Sequence, residues 1–132
     1  MTNDELLAHH LAVVGSTGAA GDPAAVYADD VAIEFPYAPE GHTRRLDGRD
    51  AVLRYFGNIP NFAADFTLSA PRVQPLPDGF VAIYGGTSTF RDSGLPYAQE
   101  YVAFVTVADS RIARIVEYYD GQRVLRALGE LD

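Results

Sequence analysis

Two carboxylates set inside apolar runs, Glu100 and Glu117, are the residues of this chain whose type and placement could carry chemistry. They lie in Tyr97–Val107 and Ile112–Tyr119, segments rich in β-branched and aromatic residues, with the turn-forming pair Asp109-Ser110 between them. The pattern predicts a hairpin. With Asp109-Ser110 as its two loop residues, Ala108 faces Arg111, and an unbroken ladder pairs Val107 with Ile112, Phe104 with Ile115, Val102 with Glu117 and Glu100 with Tyr119. Alternation then gathers Glu100, Val102, Phe104, Ile115, Glu117 and Tyr119 on one face, and Tyr101, Ala103, Val105, Arg114, Val116 and Tyr118 on the other. Burying an unpaired charge costs several kcal/mol, so two carboxylates on an apolar face imply a pocket wall or partners.

In a pocket, Glu117 would be a proton donor or base with a raised pKa. Glu100, diagonal to it at roughly 7 Å, would complete an acid and base flanking a substrate. The plainer readings are a structural Glu117 held by a Tyr or Arg, or turned to solvent by a register slip, and a Glu100 at the pocket rim or paired with an Arg.

The other chemistry-bearing residues narrow the choice. Cysteine and lysine are both absent, which removes thiolate, disulfide, Schiff-base and amine-nucleophile chemistry. Of the histidines, His9 and His10 are adjacent, about 100° apart on a helix, and lack a metal-ligand pattern around them. No metal or other cofactor is expected. His10, on an apolar stripe, is a pocket base or a hydrogen-bonded core residue, and His42, with Arg44 and Arg45, lies in a loop that either rims the pocket or is solvated. Tyr37, Tyr55 and Tyr119 could orient a ligand through their hydroxyls or simply pack.

At 132 residues the chain fits one domain, spanning 1–132, and its formal charge of −8 argues against nucleic acid or an anionic membrane as partner. No apolar run is long enough to span a bilayer and the N-terminus is acidic, so a cytoplasmic protein is expected.

The elements that must position these residues follow from capping and periodicity. Asn3 with Asp4-Glu5 opens a helix whose stripe is Leu7, His10, Leu11 and Val14, ended by Gly15-Ser16-Thr17-Gly18. Asp22-Pro23 starts a short helix to Tyr27, and Val31–Phe35 is a strand. Residues 36–48 read as an irregular loop, and 49–56 as a helix presenting Val52, Tyr55, Phe56 and then Ile59 inward. Strands follow at about 65–74 and 80–90, with Gly85-Gly86 marking a bend, and Asp120 caps a last helix over 122–128. Helices first and an antiparallel sheet afterwards make an α+β arrangement with the helices on a concave sheet face. The apolar back of the hairpin predicts a homodimer through the convex face, with Tyr101, Val105, Val116 and Tyr118 in the interface.

This order, with Tyr27-Ala28-Asp29-Asp30-Val31, Gly48-Arg49-Asp50-Ala51-Val52 and Arg114-Ile115-Val116-Glu117-Tyr118, resembles the nuclear-transport-factor-2-like superfamily, in its branch of SnoaL-like polyketide cyclases and ketosteroid isomerases. The resemblance implies a cone-shaped barrel of mostly antiparallel sheet wrapped around the helices, a deep apolar pocket and a dimer. Aligned through Gly21-Asp22 and Ala28-Asp29-Asp30, the steroid isomerases' catalytic Tyr falls at Val14, their Asp before Pro at Phe35 and their second Asp near Ala103. Steroid isomerisation by that Tyr/Asp/Asp mechanism is therefore not implied. The ending, Glu117 followed by Leu125-Arg126-Ala127-Leu128-Gly129, is similar to phenazine-biosynthesis proteins of this fold, which would make Glu117 a general acid and places their helix histidine at Tyr55.

The resulting expectation is a small enzyme of secondary or xenobiotic metabolism. It would perform cofactor-independent acid–base chemistry (isomerisation, cyclisation, dehydration or epoxide opening) on an apolar or polycyclic ligand. Glu117, Glu100 and Tyr55 would be catalytic. The ligand would meet His10, Val14, Val52 and Phe56 from the helices, Phe35 and Tyr37 around the first strand, and Val102, Phe104, Ile115 and Tyr119 from the hairpin. The alternative is a noncatalytic binding or assembly module using the same pocket.

Overall fold

The computed structural model describes residues 1–15 and 21–131. Helix α1 (Asn3–Val14) is capped one residue earlier than expected: Thr2 Oγ1 accepts from the Glu5 amide, and the Glu5 carboxylate accepts from the Thr2 amide, a reciprocal capping box. Its buried side chains are Leu6, Leu7, His10 and Val14; of the expected stop signal, residues 16–18 lie outside the described residues. Helix α2 (Pro23–Val26) starts as expected, with the Asp22 carboxylate accepting from the Ala24 amide and proline at the first position.

Strand β1 (Tyr27–Glu34) leads to a segment expected to be irregular throughout, yet Arg45–Asp47 forms a short strand, β2, antiparallel to β1. Helices α3 (Arg49–Gly57) and α4 (Ile59–Phe62) follow. Residues 65–74, expected as one strand, are two: β3 (Ala63–Leu68) and β4 (Arg72–Leu76). Both pair with β5 (Gly79–Phe90), β4 along its first half and β3 along its second. The changeover lies at Gly85-Gly86, where Ser69 exchanges hydrogen bonds with Gly85. Gly86 is required by close approach: a Cβ there would lie 2.9 Å from the Phe66 ring and 3.1 Å from the Tyr101 ring. Gly86→Ala is expected to destabilise by about 1–3 kcal/mol as those rings are forced apart, measurable by chemical denaturation.

Strands β6 (Pro96–Ala108) and β7 (Arg111–Tyr119) form the predicted hairpin, and α5 (Gly121–Leu128), capped by Asp120, closes the chain. The strand order is β2-β1-β7-β6-β5-β3, antiparallel except for the β1–β7 pair. The sheet does not close on itself, so the expected barrel is an open curved sheet covered by α1 and α3 on its inner face. Asp109 and Ser110 both take positive φ, 52° and 62°, the conformation of a type I′ turn. Both are non-glycine residues in that region, so replacing the pair with Asn-Gly is expected to raise stability by about 1 kcal/mol in a melting experiment.

The hairpin register differs from expectation beyond its first two pairs. Val107 faces Ile112 as predicted, but Thr106 then faces Arg114, leaving Ala113 as an extra residue on β7. This β-bulge moves every later pair by one: Val105 faces Ile115, Ala103 faces Glu117 and Tyr101 faces Tyr119. Glu100, Val102 and Phe104 therefore share the outer face with Val116 and Tyr118, while Tyr101, Ala103 and Val105 turn inward with Glu117. The predicted grouping is corrected accordingly. Ile112 and Ile115 are both fully buried, which three residues of regular strand cannot achieve and one bulge can.

Candidate functional site

Glu117 is 6% exposed and stands on the inner face of β7. The row of cross-strand partners through it is Ala82, Ala103, Glu117, and the next row is Tyr84, Tyr101, Tyr119. The two alanines leave space above the sheet, and the Tyr84 side chain crosses it so that its hydroxyl donates a short hydrogen bond to Glu117 Oε1. The other carboxylate oxygen has no hydrogen-bond partner among the described residues, where no buried side-chain polar atom is left unsatisfied; it is therefore accessible.

Glu117 is one of 24 residues lining a cavity of about 960 Å³. Its aromatic walls are organised by stacking, Tyr84 on Tyr101 at 5.1 Å between ring centroids and Phe35 on Tyr55 at 5.5 Å. Tyr97 and Tyr101 link hydroxyl to hydroxyl at 2.8 Å. The buried lining residues, such as Val14, Phe35, Phe56, Phe90 and Tyr97, form the inner end, whereas the exposed ones, Thr43, Arg54, Asn58, Asn61 and Phe62, mark the mouth. Helix α3 contributes by its period: Ala51, Arg54, Tyr55 and Asn58 form one ridge facing the cavity, while Val52 and Phe56 anchor the helix in the core.

Burial pushes the Glu117 carboxyl up from an ordinary 4.5 to about 7, and the hydrogen bond from Tyr84 pulls in the opposite direction. The same burial, reinforced by the Glu117 charge, raises the Tyr55, Tyr84, Tyr101 and Tyr119 hydroxyls, and burial takes Tyr97 to about 12. All five tyrosines therefore keep their protons at neutral pH and can only donate to or accept from a ligand. Glu117 can exchange a proton there.

Of the residues expected at the site, Glu117, Tyr55, Val14, Phe35, Phe56 and Tyr119 line the cavity. Glu100 does not: with Tyr37, Val102 and Tyr118 it borders a separate groove on the outer face, so the expected carboxylate pair is not formed. Phe104 lies on that outer face and is 43% exposed. His10, Val52 and Ile115 are core residues rather than wall. His10 Nδ1 is 2.6 Å from the Tyr27 hydroxyl, and burial lowers its pKa to about 4, so its hydrogen-bonded core reading holds. His42 lines the cavity, whereas Arg44 donates to the Pro36 and Ala38 carbonyls and Arg45 pairs with Glu34 and Asp47. Among the described residues no three His, Asp or Glu side chains converge as a metal site would require.

Tyr84 and Tyr101 are the residues that sequence reasoning missed. Tyr84 was accessible through the alternation Phe80, Ala82, Tyr84, Gly86, Ser88, Phe90 on one face of a strand; Tyr101 was placed on the wrong face by the unbulged register.

The model of the SnoaL-like domain matches residues 9–115 of the chain. YesE of Bacillus subtilis (strain 168), itself of unassigned activity, is 31% identical over 103 residues, 76% of this chain and 70% of that protein. A PhzA/B-like protein of Pseudomonas aeruginosa is 27% identical over 133 residues, 100% of this chain and 94% of that one. The crystal structure of a Bacillus subtilis protein provisionally named an isomerase superposes with a TM-score of 0.79 at 26% identity, covering 98% of this chain and 97% of the other. With the open curved sheet, the covering helices and the apolar cavity in place, the chain belongs to the SnoaL-like family, of the nuclear-transport-factor-2-like fold.

Proposed function

We propose that the protein is a cofactor-independent acid–base enzyme acting on an apolar or polycyclic small molecule, in the class of isomerisation, cyclisation, dehydration or epoxide opening. The observation that carries this reading is the accessible oxygen of a buried carboxyl that titrates near neutrality inside an aromatic cavity. Glu117 shuttles the proton, Tyr84 fixes its orientation, and Tyr101 or Tyr119 donates a hydrogen bond to an oxygen of the substrate. The likeness to a protein provisionally named an isomerase supports the same class.

Proton exchange tests this with generic ketones in place of the natural substrate. In deuterated water, polycyclic ketones incubated with the protein are followed by NMR for exchange of the protons next to the carbonyl. Exchange by the parent and its loss in Glu117→Gln is the expected result. A ketone bound equally by both, with no exchange in either, would instead make the cavity a receptor.

Tyr84→Phe tests how the acid is tuned. Hydrogen bonds to a charged acceptor exceed those to a neutral one by about 1 kcal/mol, so removing this one should raise the Glu117 pKa by roughly one further unit. Carboxyl carbon NMR reads the shift directly; an unchanged midpoint would count against the role given to Tyr84.

The reading includes a homodimer through the outer sheet face, with Val102, Phe104, Val116 and Tyr118 in place of the Tyr101 and Val105 first expected there. Support comes from the contiguous apolar rows Val81, Phe104, Val116 and Ile83, Val102, Tyr118. Light scattering should return twice the chain mass for the parent, and the chain mass alone for Phe104→Asp.

A further inference from the structure

We infer that the cavity takes a ring-bearing carboxylate, whose anionic group is held at the mouth by Arg54 while its apolar body extends toward Glu117. This rests on the acid–base cavity above and adds the substrate class.

The chain's basic side chains are its ten arginines, and most are already engaged. Arg45, Arg49, Arg114 and Arg123 pair with carboxylates, and Arg44, Arg91 and Arg111 donate to backbone carbonyls. Among the described residues Arg54, Arg72 and Arg126 are left without a side-chain partner, and of these Arg54 alone lines the cavity. Asp50, one turn earlier on the same helix, makes no ion pair with it. Arg54 therefore presents a planar, permanently charged donor fork at the opening of an otherwise aromatic chamber. His42, Asn58 and Asn61 line the same cavity, so further donors are at hand; the Asn61 amide already donates to Asn58 Oδ1.

Charge distribution along the cavity gives the ligand a direction. The carboxyl that loses its proton near neutrality is at the buried end, and the guanidinium is at the exposed end. An anionic group would be repelled by ionised Glu117 and attracted by Arg54. Around a chain of formal charge −8, an anion is admitted only where a local cation offsets the surrounding field. The alternative role for Arg54 is electrostatic support of the last turn of α3, which would affect stability and not ligand choice.

The experiment compares 2-naphthoate with 2-naphthamide, equal in shape and different in charge, by titration calorimetry at about pH 6.5 and low salt, where the naphthoate is ionised. The parent should favour naphthoate about five- to tenfold, as expected of one partly exposed charge-assisted contact. Arg54→Gln should abolish the preference while leaving naphthamide affinity unchanged, and Arg54→Lys should restore part of it. Arg126→Gln, removing a free arginine away from the cavity, should leave both affinities as in the parent. Overturning results are a preference that survives Arg54→Gln, or equal weakening of both probes, which would mark a structural role. If the parent binds neither probe, the ligand-binding reading of the cavity falls as well. If discrimination holds but no ketone undergoes exchange, the carboxylate subsite stands and the acid–base reading falls.

Discussion

Glu117→Gln is expected to lower turnover of any substrate roughly 10²- to 10⁴-fold, the range for a lost general acid or base. The substitution keeps the side chain's shape and its acceptor for the Tyr84 hydroxyl, and it removes the exchangeable proton. Ligand affinity should change far less, because the cavity walls are aromatic and contributed by other elements. A fall in kcat with KM nearly unchanged is the signature to look for. If turnover survives intact, the proton must come from elsewhere. Glu100, on the opposite face of β6, cannot supply it without a change of register.

The same variant should unmask a pH dependence of stability that the parent conceals. Glu117 has its folded pKa raised from 4.5 to about 7, so between those values the native state holds a proton that the unfolded state has released, and stability falls as pH rises. His10 has its folded pKa lowered from 6.5 to about 4, so between those values the unfolded state binds a proton that the native state lacks, and stability rises with pH. Each shift is worth up to about 3 kcal/mol, the windows overlap from about pH 4.5 to 6.5, and the slopes oppose. The parent should therefore show a nearly flat profile across the overlap. In Glu117→Gln the His10 slope remains alone, and urea denaturation should report stability rising by about 2–3 kcal/mol from about pH 4.5 to 6.5. A variant as flat as the parent would show that one or both groups titrate near their ordinary values.

Much of the architecture was legible because local chemistry and tertiary structure agree. Asp22-Pro23 and Asp120 cap the helices they were expected to cap, and the turn at Asp109-Ser110 falls between the predicted strands. Strand β2 and helix α4 were missed because three or four residues carry too little periodicity, and their formation depends on β1 and on the chain's entry into β3. Glu117 was identified from its setting, since an acidic residue in an apolar strand needs a reason to be there, and from the resemblance of the ending to phenazine-biosynthesis proteins. The rest of the site failed on one parity error. An unbroken ladder put Glu100 and Glu117 on the same apolar face, an arrangement that is electrostatically costly, and the spacing of Ile112 and Ile115 already conflicted with simple alternation. Together these signs pointed to the bulge. The residue that relieves it, Ala113, has no chemical signature in the sequence.

Loss of the single codon for Ala113 would leave the turn and its first pairs in place and preserve the reading frame. The bulge residue has no partner on β6, so its removal leaves every later pair where it is, from Thr106 with Arg114 to Tyr101 with Tyr119. Ile115 and Glu117 would stay inward opposite Val105 and Ala103, and Val116 and Tyr118 would stay outside. The acid-bearing chamber would therefore survive the loss, with Ile112, Arg114 and Ile115 in plain alternation on a shorter strand. For a scaffold of this kind, a change of one residue in hairpin length need not move a buried acid: the bulge absorbs it, and strands with and without the extra residue present the same carboxyl to the same cavity.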